Sequence, residues 1–362
     1  MSAEDLARTF YRRMNEFGEL RKRRQWTIQR IDEPSPAPAI YFVTPDHDSP
    51  SGGIRVIYRH VDILNAAGFN AYVVHWTRGF RCNWFENDTR VTNFANIAVR
   101  SGDLLVFPEV DVDLLSRLPR GVRHVIFNQN SHLTWSRCTT ADARRLYAAK
   151  PDLAGVVTVS EHNRAMLARA FPDCHPLHRV HLGLDEGLFY PAPGPRARRV
   201  AYMPRRGRND ALQVLAMLHA RGALHGWEVV PLDGLSHAMV ADQLRTTCLF
   251  LAFTHQEGFG LPSAEAMACG NYVIGNHGFS GREFFRPEFS TAIEAGDTLA
   301  FVRAVEEVLS RDNLDPGWCV ARGRLAAKYI QSNYSVAAER NDVVDLYTQF
   351  LIGSVSQGQA VE

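Results

Sequence analysis

The sequence predicts an α/β protein with two doubly wound, Rossmann-like domains in tandem. Apolar runs with strand character alternate with helical patterns, and this alternation predicts parallel sheets covered by helices. The series starts again after a proline-rich segment, which indicates a second domain of the same kind. A chain of 362 residues also exceeds one ordinary hydrophobic core, so two compact halves are expected.

The predicted strands lie on both sides of a break at residues 184–198. The first series comprises 40–44, 71–76, 104–107, 124–127 and 156–159. The second series comprises 199–203, 227–231, 249–253 and 272–274, and late helices are predicted at 297–309, 316–331 and 336–351. Pro191, Pro193 and Pro195 interrupt regular structure within the break, so the domain boundary is placed there.

The N-terminal segment is predicted to form an amphipathic helix followed by a linker. Phe10, Met14 and Phe17 recur at helical spacing and a basic run follows them, so the helix either docks on the protein or contacts a membrane surface. The proline-rich residues 33–38 end the helical pattern and predict the linker. At the other end, the tail from Gly353 is small and polar and is expected to fray.

The composition excludes several classes of protein. The net charge of +1 argues against a nucleic-acid-binding protein, whose domain normally carries a basic excess. No stretch reaches the ~20 apolar residues of a membrane-spanning helix, and no apolar signal core follows the first basic residues, so a cytoplasmic location is expected. The six cysteines are scattered, which predicts reduced thiols rather than a disulfide framework or a zinc site.

The most informative segment is 257–270, which reads EGFGLPSAEAMACG and lies between a predicted buried strand and a helix. Gly258 and Gly260 allow the backbone to approach a ligand closely, and the N–H groups of the helix start favour an anion such as a diphosphate. Glu257 and Glu265 flank that anion site, and carboxylates accept hydrogen bonds from hydroxyl groups. The pattern predicts a ligand that carries both a diphosphate and hydroxyls, as a nucleotide sugar does.

This segment resembles the Glu-x7-Glu signature of retaining glycosyltransferases with the GT-B fold, especially family 4, also called glycosyl transferases group 1. Further stretches match the family in the expected order: Gly52-Gly53, the segment 157–161 with the helix behind it, and the crossover 181–191. The resemblance extends over residues 39–350. It implies the GT-B fold, in which two Rossmann-like domains face each other across a deep cleft.

The resemblance divides the chain into four segments. An N-terminal helix and linker occupy 1–38, an acceptor domain occupies 39–185, and a nucleotide-sugar-binding domain occupies 186–335. The last segment, 336–362, holds a C-terminal helix that is expected to pack back on the N-terminal domain before the tail.

The resemblance also implies roles for individual residues. Glu265 would hold the ribose hydroxyls of the donor, and Glu257 would contact the transferred sugar in the catalytic centre. Gly53 would face the donor from the first domain. The donor's diphosphate would be bound by the backbone around Gly258, Phe259, Gly260 and Leu261.

The cationic residues expected to neutralise the diphosphate depart from the family pattern. Relatives use an arginine and a lysine after the first strand of the second domain, whereas this chain has no lysine there. Arg205 and either Arg206 or Arg208 are expected to take the role, because the guanidinium fork suits phosphate oxygens.

The contact to the transferred sugar also departs from the family pattern. Relatives often place a histidine after the fourth strand, whereas this chain offers the amide of Asn130, or His132 slightly further along. Glu283 follows another short glycine-bearing loop, and the resemblance places it at the edge of the donor site.

Two Asp-x-Asp patterns, at 46–48 and 111–113, are candidates for a divalent-metal site. We interpret 46–48 as a turn, and Asp111 and Asp113 as helix-start residues. The arginines and the helix start already supply positive charge to the diphosphate, so no essential metal and no cofactor are expected.

These inferences predict a glycosyltransferase that uses a UDP- or GDP-linked sugar or a similar donor. The acceptor would be a hydroxyl of a glycan, a lipid-linked molecule or another glycoconjugate, with the anomeric configuration retained. A non-catalytic sugar-nucleotide-binding subunit of a transferase complex and a non-hydrolysing sugar-nucleotide epimerase are the alternatives, and donor hydrolysis by the chain alone distinguishes a transferase from a binding subunit.

Overall fold

The computed structural model describes residues 26–174, 176–205 and 207–358 of the chain. Within them, strands form a seven-stranded sheet, a five-stranded sheet and a two-stranded sheet, and every strand pair is parallel. The predicted α/β class with parallel sheets is therefore confirmed. The helix predicted within residues 1–25 and the site predicted at Arg206 lie outside the described residues.

The first half of the chain builds the two-stranded sheet from its first and fifth strands and the seven-stranded sheet from its other seven strands. Its strands are β1 Gln29–Pro34, β2 Ala39–Val43, β3 Asn70–His75, β4 Val91–Asn93, β5 Ala98–Ser101, β6 Leu104–Pro108, β7 His124–Asn128, β8 Leu153–Thr158 and β9 Leu177–Arg179. Its helices are α1 Gly52–Ala66, α2 Thr140–Tyr147 and α3 Glu161–Ala170, with 3₁₀ turns at Phe94–Asn96, Glu109–Arg117 and Ser131–Leu133. The sheet order is β4-β3-β2-β6-β7-β8-β9.

The second half builds the five-stranded sheet in the order β11-β10-β12-β13-β14. Its strands are β10 Arg199–Tyr202, β11 Glu228–Pro231, β12 Leu249–Ala252, β13 Tyr272–Gly275 and β14 Ser290–Ala292. Its helices are α4 Arg208–Ala220, α5 His237–Thr246, α6 Leu261–Ala268, α7 Thr298–Leu314 and α8 Trp318–Asn333, with a 3₁₀ turn at Ser280–Glu283. The domain boundary predicted at residue 185 stays a prediction.

Central strands are buried on both faces, which explains why their sequences are continuously apolar. All residues of β6, β7, β12 and β13 are buried, as expected for parallel strands covered by helices on two sides. Within the described residues, no helix combines the length and the apolar character needed to cross a membrane.

Each large sheet reverses its strand order at one point. In the first sheet β2 lies between β3 and β6, and in the second β10 lies between β11 and β12. Ligands of doubly wound sheets bind beyond the carboxyl ends of strands beside such a point. The loops that follow β2, β6, β10 and β12 are therefore expected to form the functional site.

The proline-rich linker predicted at residues 33–38 is wrong in part. Strand β1 includes Glu33 and Pro34 and pairs in parallel with β5, with a register shift between Ile31 and Pro34. Proline is compatible with an edge strand because its missing N–H faces away from the pairing partner. Trp26 anchors the segment, since its buried indole packs edge-on against aromatic rings of the first half.

The last helix, α9 Val336–Gly358, packs against the first half of the chain. The Tyr347 ring lies 5.3 Å from the Phe42 ring, and a Cβ added to Gly155 would meet the Phe350 ring at 2.8 Å. The helix continues as far as residue 358 through Gly353, which a helix tolerates at a modest cost, and the fraying expected from Gly353 stays a prediction.

Glu339 fixes the start of α9 to two other parts of the fold, and its side chain is fully buried. Its carboxylate lies 2.9 Å from Arg59 Nη2 and 3.2 Å from His60 Nε2, and it accepts a hydrogen bond from the Gly183 N–H at 3.0 Å. Burial alone would raise the pKa of Glu339, but His60, Arg59 and Gly183 offset burial and hold the pKa below its usual value. The ionised form therefore stabilises the fold.

Replacing Glu339 with Gln is expected to lower the free energy of unfolding by about 2–4 kcal/mol at neutral pH, because the partly buried Arg59 loses its fully buried charged partner. A depressed folded-state pKa means that the contribution is complete above the unfolded value of about 4.3 and is lost as the pH falls below it. Thermal unfolding of both proteins should therefore converge in acid.

The control is Glu307→Gln, whose partner Arg311 is 55% exposed, and which should change stability by less than about 0.5 kcal/mol. A Glu339→Gln protein as stable as the wild type at neutral pH would contradict the prediction.

Candidate functional site

The candidate site lies where the carboxyl ends of the two sheets meet. The Gly52 turn follows β2 and Glu109 follows β6, on the side of the first sheet. Arg205 follows β10 and Glu257 follows β12, on the side of the second sheet. Both switch points thus contribute to one cleft, as expected for doubly wound sheets.

The loop before α6 is held in an unusual conformation. Gln256 has a φ of +36°, a region that residues other than glycine rarely adopt. The Glu257 N–H donates to the Gly278 carbonyl at 3.0 Å, and the hydroxyl of Ser280 donates to the Glu257 carbonyl. These bonds fix the backbone of the 8% exposed Glu257 at the cleft. Backbone strain of this kind is concentrated at functional sites.

Two helix starts meet across the cleft. Helix α6 begins after Gly260, whose φ of +94° suits glycine, and α1 begins at Gly52. The two starts are so close that a Cβ added to Gly52 would lie 2.9 Å from Cδ1 of Leu261. Because helix N-termini carry partial positive charge, the space beside them favours an anion.

Gly258 marks the closest approach of the two halves. A Cβ at this position would lie 1.7 Å from the carbonyl oxygen of Gln129 and 3.1 Å from Cα of Asn130. The Asn130 side chain donates to the Gln256 carbonyl at 3.0 Å, and Gln129 Nε2 donates to the Gly53 carbonyl at 3.1 Å. The loop after β7 is therefore fitted against both helix starts.

Glu265 lies one turn into α6 and is 4% exposed. Its Oε1 accepts a hydrogen bond from Arg55 Nη2 at 2.7 Å and lies 3.1 Å from His237 Nε2. Burial alone would raise the pKa of Glu265, but the charge of Arg55 and the hydrogen bond of His237 hold the pKa below its usual value. The site thus contains a buried carboxylate that remains ionised.

Arg205 reaches across the cleft from the second half. Its Nη1 donates to the Pro50 carbonyl at 2.6 Å, in the loop that precedes α1. Arg208 is exposed at the first position of α4, directly after Gly207, which has a φ of +66°. Both predicted arginines that are described lie at the carboxyl end of β10.

His132 takes part in a cluster of rings between the halves rather than standing alone. Its Nε2 lies 3.3 Å from His162 Nε2, and its ring lies 5.6 Å from that of Phe279, whose φ is +67°. Burial lowers the pKa of His132; burial, His132, Arg282 and His277 together lower that of His162. Neutral rings are therefore expected at this boundary.

Glu283 of the second half binds two residues of the first half. Its Oε1 accepts a hydrogen bond from the Glu161 N–H at 2.6 Å, at the start of α3, and its Oε2 pairs with Arg179. The Tyr329 hydroxyl donates to the Glu283 carbonyl at 2.9 Å. Its proposed place at the edge of the donor site stays a prediction.

The ring of Phe259 points into the core. It is 4% exposed and packs against the rings of Phe284 and Tyr334 at 5.4 and 5.3 Å. Any contact of this residue with a ligand therefore involves its backbone, as predicted for a diphosphate site at a helix start.

Three residues of the candidate site were not identified from the sequence. Arg55 and His237 contact Glu265, and Glu109 accepts a hydrogen bond from the Gln129 N–H at 3.0 Å. Burial raises the pKa of Glu109 to about 7. The only local signals were a charged residue in the first turns of α1 and a glutamate after an apolar strand, and neither signal reveals a partner far away in the chain.

The acidic patterns have structural partners. Asp46 accepts hydrogen bonds from the Trp76 and Thr77 N–H groups, and its Oδ1 lies 3.0 Å from the His75 ring. Asp111 lies in the first turn of the 3₁₀ segment Glu109–Arg117. In the part of the chain that the structure describes, groups of three or more His, Cys, Asp or Glu side chains suited to a metal ion do not occur. Metal independence stays a prediction.

Known proteins share this architecture. The structure is similar to sucrose-phosphate synthase of Thermosynechococcus elongatus, with a TM-score of 0.68 and 14% identity over 87% of this chain and 100% of that chain. It is also similar to HepE of Anabaena in complex with UDP-glucose, with a TM-score of 0.62 and 13% identity over 86% and 99% of the two chains. These neighbours and the two facing sheets define the GT-B fold, as predicted.

The sequence comparison adds a relative of named activity. No protein-family model matches the chain. The chain is 24% identical to an α-1,6-glucosyltransferase of Actinobacillus pleuropneumoniae serotype 7 (strain AP76) over 244 residues, which are 64% of this chain and 70% of that protein. The chain has the GT-B fold and is similar in sequence to a glycosyltransferase, so the predicted resemblance to glycosyl transferases group 1 is confirmed.

Replacing Gly258 with Ala is expected to hold the two halves apart, because the new Cβ would overlap the Gln129 carbonyl. Small-angle scattering should show a larger radius of gyration, and transferase activity should fall about 100-fold through misplacement of the cleft residues. The melting temperature should also fall, because one apolar cluster contains buried residues of both sheets.

The matched control is Gly187→Ala, where an added Cβ would meet Asp185 Oδ1 at 3.2 Å, the end of a side chain that can move. Unchanged scattering and activity in the Gly258→Ala protein would refute the role of this contact.

Proposed function

We propose that the protein transfers a sugar from a nucleotide-sugar donor to a hydroxyl group of a glycan or glycoconjugate, with retention of configuration and without a metal ion. The observation that carries the proposal is Glu265, a carboxylate that is buried and ionised one turn into α6. A carboxylate of this kind next to a helix start suits a ligand with an anionic diphosphate and neutral hydroxyls.

The proposed place of the diphosphate is the space beside the starts of α1 and α6. The N–H groups near Gly260 and Leu261 would bind its oxygens, and Arg205 would exchange the Pro50 carbonyl for a phosphate oxygen. The ribose hydroxyls would then reach Glu265. The complex of HepE with UDP-glucose supports a donor of this class.

In the proposed reaction, the oxygen of the acceptor hydroxyl attacks the anomeric carbon of the donor. The bond from that carbon to the diphosphate breaks, the diphosphate leaves with the electron pair, and the proton of the acceptor hydroxyl passes to the diphosphate. Negative charge grows on the diphosphate in the transition state. Preorganised N–H groups and Arg205 therefore stabilise the transition state more than the ground state.

Glu257 is the proposed partner of the transferred sugar. Its backbone is fixed at the cleft by Gly278 and Ser280, opposite the loop after β7, and its carboxylate would reach the sugar from there. From that loop, the amide of Asn130 or the ring of His132 would supply the contact from the first half. Retention follows if the acceptor attacks from the side on which the diphosphate leaves.

The acceptor and the place of the reaction belong to the proposal as well. A glycan acceptor agrees with the α-1,6 linkage in the name of the similar α-1,6-glucosyltransferase, and a lipid-linked acceptor stays a prediction. We propose a cytoplasmic enzyme; contact with the inner face of the membrane through the N-terminal segment stays a prediction, because residues 1–25 lie outside the described residues.

Release of nucleoside diphosphate from a panel of nucleotide sugars, without acceptor, tests the donor. One donor should be hydrolysed slowly, and a chelator should leave the rate unchanged. Glu265→Gln should raise the KM for that donor about 10- to 100-fold, because a charged hydrogen-bond acceptor is lost. Glu257→Gln should mainly lower kcat, and the surface variant Glu307→Gln should behave as the wild type.

Either of two results would overturn part of this proposal. Inhibition by the chelator would contradict metal independence. If no donor of the panel releases nucleoside diphosphate while nucleotide binding is intact, the result would instead favour a non-catalytic subunit of a transferase complex.

The anomeric configuration of the product tests retention separately. With an α-linked donor and an acceptor found by screening, NMR of the first product should show an α-linkage, because the acceptor attacks the face from which the diphosphate leaves. A β-linked product would exclude retention and would require a general base on the opposite face of the sugar.

A further inference from the structure

An ion pair joins the two walls of the cleft at the proposed ribose site. Arg55 lies in the first half on α1, Glu265 lies in the second half on α6, and Nη2 and Oε1 are 2.7 Å apart. The two side chains are only 18% and 6% exposed. Because water screens such a pair weakly, the Coulomb attraction between the two charges is stronger than in an ordinary surface pair.

The ion pair keeps the Glu265 carboxylate ionised and occupies only one of its two oxygens. Oε1 of Glu265 lies within hydrogen-bonding distance of both Arg55 and His237. Within the described residues, Oε2 has no hydrogen bond. The lone pairs of Oε2 are therefore available to hydroxyl groups of a ligand. Arg55 adds the charge that keeps this buried group ionised, and an ionised carboxylate accepts from two hydroxyls, whereas a protonated one uses one oxygen as a donor.

We propose that Arg55 is a positioning residue that presents Glu265 to the ribose of the donor and links ribose recognition to closure of the cleft. The inference rests on the proposed function and deepens it. The link to closure follows from distance, because Arg55 reaches Glu265 only when α1 and α6 are adjacent. They are adjacent here, since a Cβ added to Gly52 would lie 2.9 Å from Cδ1 of Leu261. An open cleft would leave Glu265 with His237 alone.

Substitution of Arg55 separates this role from a general structural one. Equilibrium binding of UDP and GDP is compared with binding of their 2′,3′-dideoxy analogues, in the wild type, Arg55→Met, Arg55→Lys and Glu265→Gln. The wild type should prefer its ribonucleotide about 10- to 100-fold, because the hydroxyls bond to a carboxylate. Arg55→Met should bring the preference close to that of Glu265→Gln while binding of the dideoxy analogue stays unchanged.

Two further variants complete the test. Arg55→Lys should restore part of the ribose preference, since it keeps the positive charge but loses the guanidinium geometry. Arg303→Met, on the exposed face of α7, is the matched control and should keep the full preference.

The outcomes are distinguishable. If Arg55→Met weakens ribonucleotide and dideoxy analogue equally, or leaves the preference intact while Glu265→Gln abolishes it, Arg55 does not position Glu265 and the inference is overturned. If the wild type binds neither nucleotide, the proposed function fails, and the inference falls with it.

Discussion

The backbone contact between Gly258 and the Gln129 carbonyl determines how closely the two halves of the molecule approach. Three side-chain contacts across the cleft accompany that spacing. Asn130 reaches the Gln256 carbonyl, Arg205 reaches the Pro50 carbonyl and Arg55 reaches Glu265 only when the two sheet edges are adjacent. A residue without a side chain at position 258 is therefore a constraint on the whole site rather than a local detail of one loop.

Much of the fold could be predicted because its main strands are long enough to show a pattern. Strands such as β6 and β12 are buried on both faces and appear as uninterrupted apolar runs between helical segments. The strands that the sequence does not reveal are β4, β9 and β14, each of three residues, β5, of four residues, and β1, which contains a proline. Their pairing is set by neighbouring strands, which short or irregular sequences do not indicate.

The site could be predicted only in its local parts. The glycines before α6 and the glutamates around them are close in sequence, so their spacing indicates a helix start with flanking carboxylates. The partners that set the charge of Glu265 come from α1 and α5, and the carboxylate that supports the loop after β7 comes from the end of β6. Contacts across such distances follow from how the sheets and helices pack, which one sequence does not specify.

The return of α9 to the first half has a consequence for synthesis of the protein. The first sheet leaves the ribosome well before the helix that covers it, because the entire second half is translated in between. Until then, His60 lacks its carboxylate partner and Phe42 lacks the ring of Tyr347. Until α9 is made, the first half therefore exposes apolar surface that can bind chaperones or aggregate. A fragment that ends between the two halves would expose that surface permanently.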